Sequence, residues 1–469
     1  MSPFLAAQQS TPAPVIDFPA KVIPNGVYNY DRTVIIPRQR GNINVPAPYG
    51  GKSASRPGGI LRGEDRYGTV LRFNPTVTGQ LIKTELYGEG KAGNAWNDGN
   101  SAGDRTLQAS LCSSATDLTI DGRAEIRAYP WSYPEWAPKP DPHGPDLPYR
   151  ADGLCIEGSG FIGKNLRFFQ IPGTAIILKS GRNGSAGASG IYDAGFNQLE
   201  DIYISNAIYG INVAAADSKL SHIYITGIIK DGLTISGSGT VVEEDHVWGA
   251  DRSAVFTEPA SARECYHEAA RIGTYIASTA YGTRIDGLNI GPGTCWERGV
   301  KIDAHGCSIT GLFGTVASES KEHPDIAGVE VAANLLHEVI TGSLVVASDP
   351  KNPATTAKGL ILRGNRQKVD LKGGWNSPCK ATFIRVEGAV TGSTVEVRGT
   401  GDGGTVLDLS ASELNKVEGG GNEFKIKWGG TSTRVIYPGG GNHYNLAPGT
   451  QLWIDGQLQS AATIPRKRP

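Results

Sequence analysis

Apolar residues recur along this chain in short alternating triplets, not in broad helical faces. Residues 199–213 read LEDIYISNAIYGINV, and residues 220–235 read LSHIYITGIIKDGLTI. Ile202-Tyr203-Ile204 returns as Ile223-Tyr224-Ile225, and Gly210-Ile211-Asn212-Val213 returns as Gly232-Leu233-Thr234-Ile235. Glycine, aliphatic, any residue, aliphatic stands again at Gly299–Ile302, Gly328–Val331 and Gly359–Leu362. A looser copy of the first triplet stands at Leu118-Thr119-Ile120, Leu166-Arg167-Phe168 and Leu288-Asn289-Ile290. Alternation with period two marks a strand, and the glycine marks the corner before it. Strands of three residues have no stability alone. Repeated about every 20 to 30 residues, they bury their aliphatics by stacking coil on coil. The spacing therefore predicts an all-β solenoid. Ile202, Ile204, Ile211, Val213, Ile223, Ile225, Leu233 and Ile235 point inward. Thr119, Arg167, Tyr203, Tyr224 and Asn289 form an outward ladder. A β-sandwich would show closer strand spacing and no glycine locked to one place.

Composition narrows the classes of function. Lys and Arg number 45 against 46 Asp and Glu in 469 residues, a net charge of −1. A nucleic-acid partner calls for a basic surplus that neutralises phosphates, and none exists. No apolar stretch reaches the roughly 18 residues that a membrane helix needs. The opening MSPFLAAQQSTPAP has neither the basic start nor the apolar run of an export signal. Cys112, Cys155, Cys265, Cys295, Cys307 and Cys379 are scattered without a C-x-x-C, which predicts free thiols made in a reducing compartment.

Residues 25–37, NGVYNYDRTVIIP, and 59–73, GILRGEDRYGTVLRF, resemble the opening coils of right-handed parallel β-helix proteins of the pectate-lyase-like superfamily. Within it the chain is most similar to bacteriophage tailspikes. The resemblance implies a single-stranded right-handed parallel β-helix over 25–410, behind an irregular segment over 1–24. A change of texture after 410, where Gly419–Gly421 and Gly439–Gly441 bracket short alternating strands, predicts a small β-rich C-terminal cap over 411–469. Two insertions are expected in the coils, at 128–150 and 251–282. In the second, SARECYHEAARI at 261–272 reads as a helix with Ser261 as its N-cap and Glu264 completing a capping box.

Candidate chemistry sits in two places. AYPWSYPEWAPKPDPHGPDLPYR at 128–150 carries too many prolines for a helix or a central strand, and would hold Trp131, Tyr133 and Trp136 on a stiff arm. Flat aromatic rings with polar handles suit sugars. The plainer alternative is that they pack on the coil wall or on a neighbouring subunit. EEDHVWGADR at 243–252 interrupts the register, with Glu244 and His246 standing where aliphatics are due. Either the chain shifts so that Val247 faces inward, which the cost of buried carboxylates favours, or carboxylates enter the core; both cases would gather Glu243, Glu244, Asp245 and Asp251 beside Trp248. Glycoside hydrolysis needs two carboxyl groups across one bond. A solvated acidic turn is the plainer reading. Tyr203 and Tyr224 complete the expected sugar-binding set. Polygalacturonases of the superfamily carry paired aspartates and a Gly-His-Gly, of which only His305-Gly306 is present, so His305 reads as a satisfied wall residue. No aspartate ladder for calcium stands in the chain, and no metal or cofactor is expected.

These observations leave three readings. The first is a homotrimeric phage tailspike on the virion tail, made in the host cytoplasm. It would bind, and in an active form cleave, a bacterial surface polysaccharide, by hydrolysis in preference to elimination, and could contact other virion tail proteins. The second is a secreted bacterial polysaccharide lyase, hydrolase or epimerase. The third is a structural or adhesive β-helix without activity.

Overall fold

The structure is a computed structural model. It describes residues 22–36, 43–44, 54–55, 59–84, 110–111, 113–124, 149–179, 196–291, 295–318, 325–348, 357–375, 379–414, 421–438, 446 and 450–459. Among the described residues the regular structure is all β. Among these residues no helix is long and apolar enough to cross a membrane. The chain divides into two compact units. The first runs through the described residues to Lys230 and takes in Ser236–Val241; the second comprises Asp231–Ile235 and the described residues from Val242 onward.

In the first unit every coil contributes short strands that pair in parallel with the coils before and after it. Ser114–Asp121 pairs with Ile162–Lys179 through Leu118↔Leu166 and Ile120↔Phe168. The latter strand pairs with Gln198–Val213 through Leu166↔Ile202 and Phe168↔Ile204. That strand pairs with Lys219–Ile228 through Ile202↔Ile223 and Ile204↔Ile225. All eight of these aliphatic and aromatic side chains are at most 1% exposed, so identical positions stack into ridges down the interior. Each such burial contributes roughly 1.5–3 kcal/mol. All eight residues expected to point inward are buried.

One device sets the coil register. Asp117, Asn165, Asp201 and His222 have φ of 58, 54, 55 and 53°. A left-handed residue at this corner lets Leu199 face in and then Ile202 and Ile204 face in again, so the repeat reads apolar-x-x-apolar-x-apolar. Asp and Asn tolerate that conformation better than most residues.

In the second unit Ala260–Ile276 pairs with Arg284–Ile290 through Cys265↔Leu288 and His267↔Ile290, and with Cys295–Ile302 through Tyr275↔Lys301. Glu244 and Glu264 repeat the left-handed corner at φ 54°. The helix expected over 261–272 is therefore a strand, and the insertion expected over 251–282 is coil wall. Ala, Arg and Glu favour helix locally, but Ala262, Cys265, His267, Ala270 and Ile272 are the buried positions of a coil. Pairing with adjacent coils overrides so weak a local preference.

The parallel ladder also runs past the expected end of the solenoid. Glu423–Gly429 pairs with Thr394–Thr400, Thr433–Ile436 with Gly403–Asp408, and Gln451–Ile454 with Glu423–Gly429. Among these C-terminal strands, Gln457–Leu458 turns antiparallel on Gln451–Ile454. The described strands after 410 thus continue the parallel pairing up to Gln451–Ile454. The aliphatic glycine motif marks close stacking: a Cβ at Gly328 would lie 2.7 Å from Gly359 O, and one at Gly359 would lie 2.5 Å from Phe383 O.

Candidate functional site

The outward ladder of the first unit is built by strand register. Thr119↔Arg167, Arg167↔Tyr203 and Tyr203↔Tyr224 are Cα partners on consecutive coils. Tyr203 and Tyr224 stack with ring centroids 5.1 Å apart and planes 5° from parallel, close to the spacing of neighbouring strands. Each ring thus covers a face of the other.

A turn from an earlier coil, Glu64–Gly68, folds over the same wall. Thr119 Oγ1 donates to Arg66 O at 2.5 Å, and Arg66 Nη1 donates to Asp201 O at 3.3 Å. The turn is held by Asp65, whose carboxylate accepts the N–H groups of Tyr67 and Gly68. This delivers Tyr67, 60% exposed, onto the ladder. The Arg66 and Arg167 guanidinium carbons lie 4.9 and 5.7 Å from the Tyr67 ring centre. Arg167 also lies 5.4 Å from the Phe169 ring and 5.9 Å from the Tyr203 ring. Neither guanidinium has an ion-pair partner among the described residues, and the buried Nε of each has no hydrogen bond. Two cations share one aromatic ring with no paired carboxylate. Arginine forks match carboxylate, sulfate and phosphate oxygens, and rings at their sides leave the guanidinium poorly hydrated.

The acidic residues singled out in the sequence stand in the second unit and do not form one cluster. Val242, Asp245 and Val247 take the inward positions, so the left-handed corner at Glu244 resets the register. Glu243 is bound to Arg263 at 2.7 Å. Glu244 is exposed at the corner. Asp245 is buried, with Oδ2 3.0 Å from His267 Nε2. Asp251, further along the same Thr240–Phe256 strand, takes both donors of Arg271 at 2.9 and 3.1 Å, and Arg271 also holds Glu297 at 2.7 Å. Trp248 is half-buried on the Thr240–Phe256 strand. With Asp245 sealed inside and both oxygens of Asp251 occupied, this constellation lacks two free carboxyl groups aimed at one point outside the wall. His246 Nε2 lies 3.1 Å from Glu268 Oε1, and its ring meets Tyr266 edge-on at 4.6 Å.

Within the same coils, Asp245, Cys265 and His267 offer ligand atoms all within 4.8 Å of one another. Burial, followed by the neighbouring Asp245 carboxylate, pushes the Cys265 thiol far above its ordinary range. Further along, an ion-pair chain covers the wall. Arg298 joins Asp325 and Glu330, Arg363 joins Glu330 and Glu387 at 2.6 and 2.7 Å, and Arg385 joins Glu387 at 2.6 Å. His305 Nδ1 accepts the Leu336 N–H at 3.1 Å, which makes it a satisfied wall residue.

The proline arm with Trp131, Tyr133 and Trp136 lies outside the described residues. Its two flanks are visible: Ala124 N donates to Gln170 O at 3.0 Å and Arg150 N to Pro172 O at 2.8 Å, so both ends stack on one corner of the next coil. Of the expected site residues, the structure brings Tyr203 and Tyr224 together. Arg66 and Tyr67 were not singled out in the sequence. The signal was the EDRYG turn, where Asp65 two and three residues before backbone donors marks a tight, exposed presentation.

No protein-family model matches the chain, and no curated protein matches it. Among solved structures it is similar to the catalytic domain of GH87 alpha-1,3-glucanase D1069A in complex with nigerose, at 11% identity and a TM-score of 0.36, over 92% of this chain and 63% of that one. It is also similar to DFA-IIIase from Arthrobacter chlorophenolicus A6 without its lid in complex with GF2, at 11% identity and a TM-score of 0.33, over 82% of this chain and 86% of that one. The chain thus spans less than two thirds of the glucanase domain. Likenesses this loose carry no argument about activity, and the site geometry stands on its own.

Proposed function

We propose that this protein binds an acidic polysaccharide of a bacterial surface on the outer wall formed by Arg66, Tyr67, Arg167, Tyr203 and Tyr224. The observation that carries the reading is Arg167: a guanidinium ringed by Tyr67, Phe169 and Tyr203, without an ion-pair partner among the described residues. A half-buried cation left so is costly unless an anion completes it. The stacked tyrosines present edges and hydroxyls, which suit the hydrogen-bonding rim of a sugar, and the exposed Tyr67 ring suits its apolar face. Successive coils repeat at about 4.8 Å, so the ladder favours an extended chain of sugars over a single one.

In the same reading the protein is a right-handed β-helix tailspike: a homotrimer attached to a virion tail and assembled in the host cytoplasm. The test is to incubate the full chain with a panel of acidic and neutral capsular and lipopolysaccharide preparations, and to measure retention, product size and particle mass. Retention of acidic polysaccharides by a trimer is expected. A monomer would sink the tailspike assignment while leaving the binding wall intact. Retention of neutral polysaccharides alone would sink the binding wall.

A further inference from the structure

The interior of the second unit carries a polar constellation that the binding wall does not use. The inward positions of the coils are aliphatic almost throughout: Cys265 pairs with Leu288 and His267 with Ile290 in the next coil. In two consecutive coils they become Asp245, Cys265 and His267, which are 2, 2 and 1% exposed. Three polar side chains on the inside of a coil are expensive unless something completes them.

Hydrogen bonding completes them only in part. His267 Nδ1 lies 2.7 Å from Thr274 Oγ1, and Nε2 lies 3.0 Å from Asp245 Oδ2. Asp245 Oδ1 is buried without a hydrogen-bond partner. The Cys265 thiol makes a long contact of 3.5 Å to Arg263 O and faces the Asp245 carboxylate. Asp245, the Cys265 thiol and the His267 ring each offer a ligand atom, and these atoms lie within 4.8 Å of one another.

We propose that Asp245, Cys265 and His267 are the protein ligands of a structural zinc site inside the coil. A thiolate, an imidazole and a carboxylate form a donor set suited to zinc over calcium or magnesium. Tetrahedral bonds of about 2.0–2.3 Å place ligand atoms roughly 3.3–3.8 Å apart. The observed limit of 4.8 Å and the 3.0 Å pair bracket that range, so side-chain rotation closes the site without moving the strands. Thr274, itself fully buried, occupies Nδ1 and leaves Nε2 for the metal, the outer support that a ligating histidine needs. Loading releases the thiol proton to solvent, while the single imidazole proton sits on Nδ1 facing Thr274 Oγ1 and leaves Nε2 open to the metal. Because the site is sealed, the metal enters during folding.

The test uses the full chain, unfolded with chelator and refolded with and without zinc, with bound zinc measured after removal of free metal. About one zinc per chain is expected, with a higher melting temperature than the chain refolded without metal. Cys265→Ser and Asp245→Asn, close in shape to the native residues, should each cut bound zinc at least tenfold. His222→Gln, at an exposed histidine, should leave it unchanged. If the refolded wild-type chain holds no stoichiometric zinc and melts identically with and without it, the constellation is a hydrogen-bonded plug and the proposal is wrong. Equal zinc in wild type, Cys265→Ser and Asp245→Asn would place any metal elsewhere and overturn it equally. Saccharide binding plays no part in either readout.

Discussion

Single residues decide whether the wall is a site or a surface. Arg167 is the residue with most at stake, because its neighbours supply rings and no counter-charge. Tyr203→Ala should remove one ring beside Arg167 and the stacking partner of Tyr224. A loss of roughly 0.5–1.5 kcal/mol in binding is expected from one such ring contact, read as a severalfold rise in Kd in a titration with an acidic oligosaccharide. Thermal unfolding should move little, since the Tyr203 side chain lies on the outer face. The acidic residues behave differently. Asp251→Asn breaks a two-point contact with Arg271 and should lower the melting temperature measurably without changing saccharide affinity. Unchanged stability with lost affinity would return Asp251 to the binding site.

At the scale of elements, what could be read from the sequence depended on how plainly the interior was aliphatic. Ile202, Ile204, Ile223 and Ile225 announce their coils, and Tyr203 and Tyr224 share a column as their alternation requires. The register break at 243–248 was legible as a break, and Val247 does face in. What could not be read was that Asp245 takes the other inward place, because a buried carboxylate is the least expected residue there. The strand over 260–276 was hidden for a related reason: its inward residues over 262–270 are Ala, Cys and His, and the helix-forming residues between them imitate a capped helix. The left-handed corner defeats a strict period of two, since it inserts a residue that changes the face. The EDRYG turn marks Arg66 and Tyr67 as exposed, but the coil they fold over is set by a long-range contact, Arg66 to Asp201 O. Tight stacking at the glycine motif gives a further expectation. Gly328→Ala drives a Cβ to within 2.6 Å of Val316 Cγ2 and 2.7 Å of Gly359 O. Such overpacking should cost about 1–3 kcal/mol, checked by denaturant unfolding. A neutral effect would mean that neighbouring coils yield more easily than their spacing suggests.

At the scale of the whole molecule, charge pairing sets the response to pH. Burial alone would raise the Glu330 carboxyl, but Arg298 and Arg363 together outweigh it and hold the carboxyl below its usual range. A depressed carboxylate contributes stability that is present above its unfolded value, near 4.3–4.5, and is lost as pH falls through the folded value. Melting temperature should therefore drop as pH falls below about 5. Glu330→Gln should be less stable at neutral pH and show a shallower acid limb; an unchanged limb would assign the acid response to other groups. Burial raises the Glu338 carboxyl, so its contribution has the opposite sign and stability is lost as pH rises through the interval between its unfolded and folded values. The most direct measurement of the central claim is a calorimetric titration of the full chain and of Arg167→Gln with a soluble polyuronate and with a neutral glucan. The account predicts salt-sensitive binding of the polyuronate alone, weakened about tenfold by Arg167→Gln, which corresponds to about 1.4 kcal/mol, at an unchanged melting temperature. Equal affinity in the two proteins, or equal binding of the neutral glucan, would contradict it.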